Sequence, residues 1–223
     1  MLTPKQRYQN DLAKQGFVAD KAQADAVEQL DELFSRLVKR NQRKKGGLLA
    51  KILRPARIPE TGLYFWGGVG RGKTYLMDSF YESLPFDNKM RIHFHRFMRR
   101  VHQDLERLKG QVNPLDVVAE SIAQETQVVC FDEFFVSDIT DAMILARLLE
   151  GLFQRGVTLV ATSNIIPDLL YRDGLQRQRF LPAIALLNKH CQVINVDGGQ
   201  DYRLRALEQA ELYYAPLGDL AEQ

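Results

Sequence analysis

The sequence has few cysteines and no long hydrophobic run. Cys130 and Cys191 are too few for a disulfide framework, and both lie in apolar segments, so we expect buried, reduced thiols. No segment reaches the roughly 18 apolar residues that span a bilayer. The first ten residues, MLTPKQRYQN, lack the apolar stretch of a secretory signal. These absences predict a soluble, cytoplasmic protein without a membrane span.

An excess of one charge sign is also missing. The chain has 30 Lys and Arg residues against 28 Asp and Glu residues, a formal net charge of +2. Since proteins that coat nucleic acid need a basic surplus, the near-balance disfavours nucleic acid as a partner. One local basic cluster precedes Gly46. We interpret this cluster as a solvated helix end, with contact to a polyanion as the alternative. Its members are Lys39, Arg40, Arg43, Lys44 and Lys45.

Hydrophobic periodicity predicts an α/β fold. Residues 20–40 carry an apolar stripe at helical spacing, with Asp20 as the cap, and residues 41–60 read as a basic linker. From residue 62, short apolar strands alternate with helices, which predicts a parallel sheet covered on both faces. The predicted strands are Gly62–Trp66, Met90–Phe94, Val128–Phe131, Val157–Thr162 and Gln192–Val196. The predicted helices are Thr74–Leu84, 96–109, Asp141–Phe153 and 180–190.

The segment GGVGRGKT matches the phosphate-binding pattern G-x-x-x-x-G-K-[ST] between a predicted strand and a predicted helix. Its glycines let backbone N–H groups surround phosphate oxygens, and the helix N-terminus adds positive charge. Lys73 is predicted to reach the β- and γ-phosphates, and Thr74 to bind Mg²⁺. We expect Arg71 to point to solvent or to a neighbouring subunit. The candidate nucleotide-binding residues are Gly67, Gly68, Val69, Gly70, Arg71, Gly72, Lys73 and Thr74.

Polar residues follow two later strands. Asp132 and Glu133 come directly after the apolar run Val128–Phe131, at a strand end where ligands of α/β sheets collect. Asp132 is predicted to hold Mg²⁺, directly or through water, and Glu133 to deprotonate the attacking water. The alternative is an exposed acidic strand end. Asn164 is predicted to contact the γ-phosphate and that water, with a simple loop start as the alternative.

Three arginines precede the last predicted strand: Arg172, Arg177 and Arg179. A guanidinium from a neighbouring subunit can stabilise charge on a transferring phosphoryl group, so we predict that one of the three acts in this way. For each arginine alone, a surface salt bridge is the alternative.

The segment HFHRFM contains two aromatic side chains beside two histidines. His93 and His95 have a spacing that zinc uses, but no cysteine or acid completes a ligand set. We interpret Phe97 and Met98 as packing at a strand–helix junction. The alternative is that they project into a central pore and grip a polypeptide.

Taken together, the segments GGVGRGKT, HFHRFM, CFDEF, ATSN, GLQRQRFLP and DYRLR resemble the ZapE-type, or Afg1-like, AAA+ ATPases over nearly the whole chain. The resemblance implies an ATPase whose ring or partial ring of subunits remodels a protein partner, in bacteria the division protein FtsZ. It places the arginine finger at Arg177, with Arg179 second. It also implies that Gln23 reads the adenine edge, a helix-surface glutamine being the alternative.

The resemblance further implies a helical lid after the core, of which we expect only the start. The predicted divisions are an N-terminal helical extension and linker (1–60), the ATPase core (61–200) and the beginning of the lid (201–223). A nucleic-acid motor or helicase loader is the alternative function. A nucleotide switch without turnover is disfavoured, because Glu133 and Asn164 are suited to positioning a water.

Overall fold

The computed structural model describes residues 2–14, 20–45 and 58–197. The predicted linker from residue 46 to residue 57 and the predicted lid segment lie outside these residues. The side chains of Lys44 and Lys45 are likewise not described. The strands are β1 (Gly62–Trp66), β2 (Lys89–His93), β3 (Val128–Asp132), β4 (Thr158–Ser163) and β5 (Cys191–Asn195). The α-helices are α1 (Pro4–Leu12), α2 (Lys21–Lys45), α3 (Lys73–Ser83), α4 (Phe94–Arg107), α5 (Pro114–Glu125), α6 (Ile139–Gln154) and α7 (Leu181–His190).

The five strands form one parallel sheet in the order β2-β3-β4-β1-β5. Each predicted strand is confirmed to within one residue at either end. The predicted parallel sheet is confirmed as well. Since parallel neighbours need a crossover connection, the helices between the strands cover both faces of the sheet.

Two hydrophobic cores lie on the two sheet faces. Alternation along β1 sends Tyr64 to a core shared with α4, α5, α6 and α7, and sends Leu63 and Phe65 to a core shared with α1, α2 and α3. Cys130 and Cys191 belong to opposite cores, as the free, buried thiols that we expected. Burial raises the pKa of each thiol to about 12.

The helices α1 and α5 were missed by the sequence prediction. Thr3 caps α1, since its hydroxyl accepts a hydrogen bond from the Gln6 N–H at 3.3 Å while the Gln6 side chain accepts one from the Thr3 N–H at 3.0 Å. Pro4 and Pro114 occupy first-turn positions in the two helices, where no N–H is needed. The pattern Thr-Pro-x-Gln was therefore the available signal for α1.

The helix α2 starts beside its predicted cap and extends five residues past its predicted end. Asp20 accepts a hydrogen bond from the Ala22 N–H at 2.8 Å. Arg40 is drawn inward, where its guanidinium donates to the Gln127 carbonyl at 3.1 Å and to the Thr158 hydroxyl at 3.4 Å. Burial lowers the pKa of Arg40. The solvated helix end and the polyanion contact are therefore both wrong for Arg40, which joins α2 to the start of β3 and β4.

Phe97 and Met98 are buried in the core beneath α4, with exposed fractions of 0% and 1%. The Phe97 ring centre lies 4.6 Å from that of Phe131 on β3. The packing interpretation is confirmed, and the pore alternative is wrong for these two side chains. Over the described parts of the chain, no helix combines the length and the apolar composition needed to cross a membrane.

Candidate nucleotide-binding site

The three predicted motifs meet at one edge of the sheet. Trp66 of β1 pairs with Ser163 of β4 on one side. Phe131 of β3 pairs with Ala161 of β4 on the other side. Since neighbouring strands are about 4.8 Å apart, the ends of β1 and β3 are about 10 Å apart, with the end of β4 between them. The phosphate loop, Asn164 and the two carboxylates therefore leave the sheet side by side.

The phosphate loop leads directly into α3. Gly72 is the N-cap, with a left-handed φ of 76°, and no side chain caps the helix. The Lys73 ammonium donates to the carbonyl oxygens of Gly67 at 2.7 Å and Gly68 at 2.6 Å. These bonds hold a positive charge across the loop, beside the first N–H groups of the helix. Thr74 is exposed at the same end of α3.

Arg71 does not point to solvent or to a neighbour as expected. Its Nε lies 2.8 Å from a carboxylate oxygen of Asp197, the second residue after β5. Asp197 also packs beside Gly67 and Gly68. The ion pair therefore fastens the phosphate loop to the end of the neighbouring strand, and Asp197 is a site residue that the sequence analysis missed.

Gln23 is buried against the phosphate loop, with only 2% of its surface exposed. Its Nε2 donates to the Arg71 carbonyl at 3.4 Å. Its Oε1 is buried and has no hydrogen-bond partner among the described residues. The helix-surface alternative is therefore wrong, because α2 places this amide at the loop.

Asp132 and Glu133 have different environments. The carboxylate of Asp132 is mostly buried and accepts hydrogen bonds from Arg91 on β2, at 2.8 Å from Nε and 3.4 Å from Nη2. Glu133 is exposed and has a left-handed φ of 55°. Thr162 of β4 holds this backbone, since its hydroxyl accepts from the Glu133 N–H at 3.2 Å and its carbonyl accepts from the Phe134 N–H at 2.7 Å. A strained, clamped backbone is common at functional residues.

Asn164 is exposed directly after β4. The preceding Ser163 fixes the strand end, because its hydroxyl donates to the Phe134 carbonyl at 2.7 Å and accepts from the Ile165 N–H at 3.1 Å. Asn164 therefore follows the strand that lies between β1, which leads to the phosphate loop, and β3, which leads to Glu133.

The candidate finger residues lie around a short 3₁₀ helix, Arg177–Arg179. Arg177 is half-buried and donates to the Asp168 carbonyl at 2.7 Å. Arg172 and Arg179 are exposed and have no ion pair with any described residue. The three arginines thus share one surface segment between β4 and α7.

This strand order, with a phosphate loop after β1 and acidic residues at the end of β3, defines a P-loop NTPase of the AAA+ class. Solved structures share the fold. Domain III of the Thermotoga maritima replication initiation protein DnaA matches with a TM-score of 0.57 at 17% identity, over 92% of this chain and 74% of that one. DnaI matches with a TM-score of 0.54 at 15% identity, over 80% and 87%.

The family model of the AFG1-like ATPases matches residues 2–223, and the chain belongs to this family. It is 52% identical over 227 residues to the cell division protein ZapE of Escherichia coli K12, covering 98% of this chain and 60% of that protein. It is 46% identical over 168 residues to lactation elevated protein 1 homolog B of Danio rerio, covering 70% and 33%. The chain thus spans about 60% of the length of its bacterial relative.

The contact between Gln23 and Gly72 generates a stability prediction. A Cβ at Gly72 would clash with Gln23 Nε2, whereas a Cβ at Gly110, with a similar φ of 86°, would meet nothing within 4 Å. Both alanine variants should lose about 1–2 kcal/mol to the left-handed backbone. Gly72→Ala should lose at least about 1 kcal/mol more, because it must displace a buried amide.

Urea unfolding of both variants measures this difference. Adding Gln23→Ala to Gly72→Ala should recover the excess loss and leave the backbone cost. Equal losses in Gly72→Ala and Gly110→Ala would contradict the contact.

Proposed function

We propose that this protein binds ATP with Mg²⁺ at the carboxyl edge of the sheet and hydrolyses it. The observation that carries the proposal is the adjacency of the phosphate loop, Asn164 and the acidic pair Asp132-Glu133 on three neighbouring strands. This adjacency provides a phosphate site, a polar amide and two carboxylates within the span of one triphosphate.

The oxygen donors of Thr74 and Asp132 fit Mg²⁺, which prefers hydroxyl, carboxylate, water and phosphate oxygens. Nowhere in the described residues do three or more His, Cys, Asp or Glu side chains group to hold a metal ion. A site with one carboxylate, completed by water and nucleotide phosphates, agrees with this finding. Mg²⁺ supplies neutralisation of the phosphate charge, and Lys73 adds a second cation from the loop.

Glu133 is suited to be the general base, since it is exposed and its carboxylate has no ion-pair partner among the described residues. Asp132, by contrast, is held by Arg91. The two neighbouring carboxylates can therefore serve different purposes, one near the metal and one toward water. To Asn164, directly after the neighbouring strand β4, we assign the role of orienting that water and contacting the γ-phosphate.

Gln23 is the residue that we assign to base recognition. Its unpaired Oε1 is an acceptor that matches the exocyclic amino group of adenine. Guanine carries a carbonyl oxygen at the corresponding position and cannot donate there. ATP is therefore the nucleotide that this amide favours.

Three single variants should separate binding, base choice and hydrolysis. Lys73→Ala should lose most nucleotide affinity, because the loop loses its inward-facing ammonium. Gln23→Ala should bind ATP but lose its preference over GTP. Glu133→Gln should keep its ATP affinity and lose about 100-fold or more in turnover, because the amide cannot accept a proton. Isothermal titration with ATP and with GTP measures nucleotide affinity and base choice. Steady-state phosphate release measures turnover.

Arg99→Ala is the matched control, since this exposed residue of α4 has no ion pair with any described residue. Arg99→Ala should leave nucleotide affinity and turnover unchanged. Unchanged ATP affinity in Lys73→Ala, or wild-type turnover in Glu133→Gln, would overturn the assigned roles.

We further propose a homo-oligomer in which an arginine, Arg177 before Arg179, reaches the ATP site of the neighbouring subunit. Exposed leucines surround the arginine segment: Leu169 at 47%, Leu175 at 70% and Leu181 at 44%. Exposed leucines that recur along one segment, beside the arginines, favour a protein contact there. This supports the segment as one side of a subunit interface.

Mixing two inactive variants tests the shared site. Arg177→Ala should bind ATP and lose turnover, because the finger acts on the transition state. Mixing Arg177→Ala with Lys73→Ala should regenerate sites that pair an intact loop with an intact arginine. Arg172→Ala, from the same exposed segment, should retain activity. Wild-type turnover in Arg177→Ala at saturating ATP would exclude this residue and transfer the role to Arg179.

For the partner, we propose a cytoplasmic protein polymer, namely FtsZ. The 52% identity to a protein named for cell division supports this, as does the near-neutral charge, which disfavours a nucleic-acid motor. The likeness to DnaA and DnaI is a likeness of fold. It does not favour DNA as the substrate.

The Glu133→Gln variant allows this partner to be tested, because it should hold ATP without turnover. With ATP it should sediment with assembled FtsZ and should not sediment with unassembled FtsZ. Lys73→Ala should not sediment in either case. Sedimentation with DNA instead of FtsZ would favour the helicase-loader alternative, and binding to neither would overturn the proposed partner.

A further inference from the structure

Arg91 donates hydrogen bonds to both carboxylate oxygens of Asp132. It lies on β2, opposite Cys130 in the register with β3. Its Nε is 2.8 Å from Oδ2 of Asp132, and its Nη2 is 3.4 Å from Oδ1. A forked contact of this kind fixes the orientation of a carboxylate as well as its charge.

The same guanidinium contacts a second carboxylate. Its Nη1 donates to Asp78 of α3. Asp78 follows Thr74 by four residues, so both lie on one face of that helix. Arg91 therefore connects the two elements that carry the proposed Mg²⁺ ligands, Thr74 and Asp132.

Charge is the property that Arg91 contributes at this position. An arginine guanidinium keeps its proton in proteins, whatever its surroundings. The guanidinium is therefore always charged, and the three side chains carry a net charge of −1. Without Arg91, the same two carboxylates would carry −2 beside the Thr74 hydroxyl. The number of charged ligands is a main determinant of divalent-cation affinity.

We propose that Arg91 is a positioning residue that prevents Asp132 from binding a divalent cation before the nucleotide arrives. Arg91 neutralises negative charge that a cation would otherwise bind. The phosphates of the nucleotide then supply negative charge for the cation, so metal and nucleotide bind together. The longer contact, from Nη2 at 3.4 Å, is the one that can be given up when the cation arrives. This inference rests on the proposed Mg²⁺–ATP site and adds an order of binding to it.

Mn²⁺ without nucleotide is the probe, with free Mn²⁺ counted by electron paramagnetic resonance. Arg91→Met should bind Mn²⁺ at least about tenfold more tightly than the wild type, because one positive charge beside the carboxylates is removed. Arg91→Lys should bind it as weakly as the wild type, because it keeps the charge without the fork. Arg91→Gln should behave like Arg91→Met, and provides a second neutral variant if Arg91→Met does not fold.

Two controls test whether the gain in Mn²⁺ affinity depends on Asp132 and whether it is specific to Arg91. Adding Asp132→Asn to Arg91→Met should abolish the gained affinity. Arg100→Met is matched in chemistry, since Arg100 also contacts two carboxylates, Asp104 and Glu125, on α4 and α5. It should leave Mn²⁺ affinity unchanged.

Wild-type Mn²⁺ affinity in the folded neutral variants would overturn the role of Arg91. Failure of the proposed function gives a different result, because the wild type would then bind neither ATP nor Mn²⁺ in their joint presence. A wild type that binds Mn²⁺ and ATP together, beside neutral variants without gained affinity, contradicts the role of Arg91 alone.

Discussion

Backbone pairing of β4 between β1 and β3 is the interaction on which the site depends. It sets the distance between the phosphate loop and the acidic pair, and it places Asn164 between them. Thr162 shows how closely strand and site are connected, since this residue of β4 holds the left-handed backbone of Glu133. Both sheet faces are buried, so a shift in register would disrupt the two cores together with the site.

The sequence predicted what depends on local pattern. Apolar runs located each strand of the described residues to within one residue, and the glycine-lysine pattern located the phosphate loop. The contacts of Arg71, Arg91 and Arg40 were not predictable, because each partner lies far away in the chain and an arginine in a sequence carries no sign of its partner. The burial of Phe97 was open for a related reason. An aromatic residue at a strand–helix junction suits a core and a pore equally until the opposing strand is known.

The N-terminal helices contribute to the candidate site as well as to the core. Tyr8 of α1 and Leu30 of α2 share one core with Leu76 of α3. The same packing brings Gln23 to the phosphate loop. The helical extension and the sheet are therefore coupled physically, since any displacement of α2 from the core would also remove the Gln23 amide from the loop.

The strand order also has a consequence for folding during synthesis. Both neighbours of β1, namely β4 and β5, come late in the described chain, and so does Asp197, which fastens the loop. Contacts of such large sequence separation carry a high entropic cost and form slowly. On the ribosome, the phosphate loop emerges before β4, β5 and Asp197, so it reaches its final shape only after they have been made. The nascent chain therefore has no complete candidate site until β5 and Asp197 have been translated.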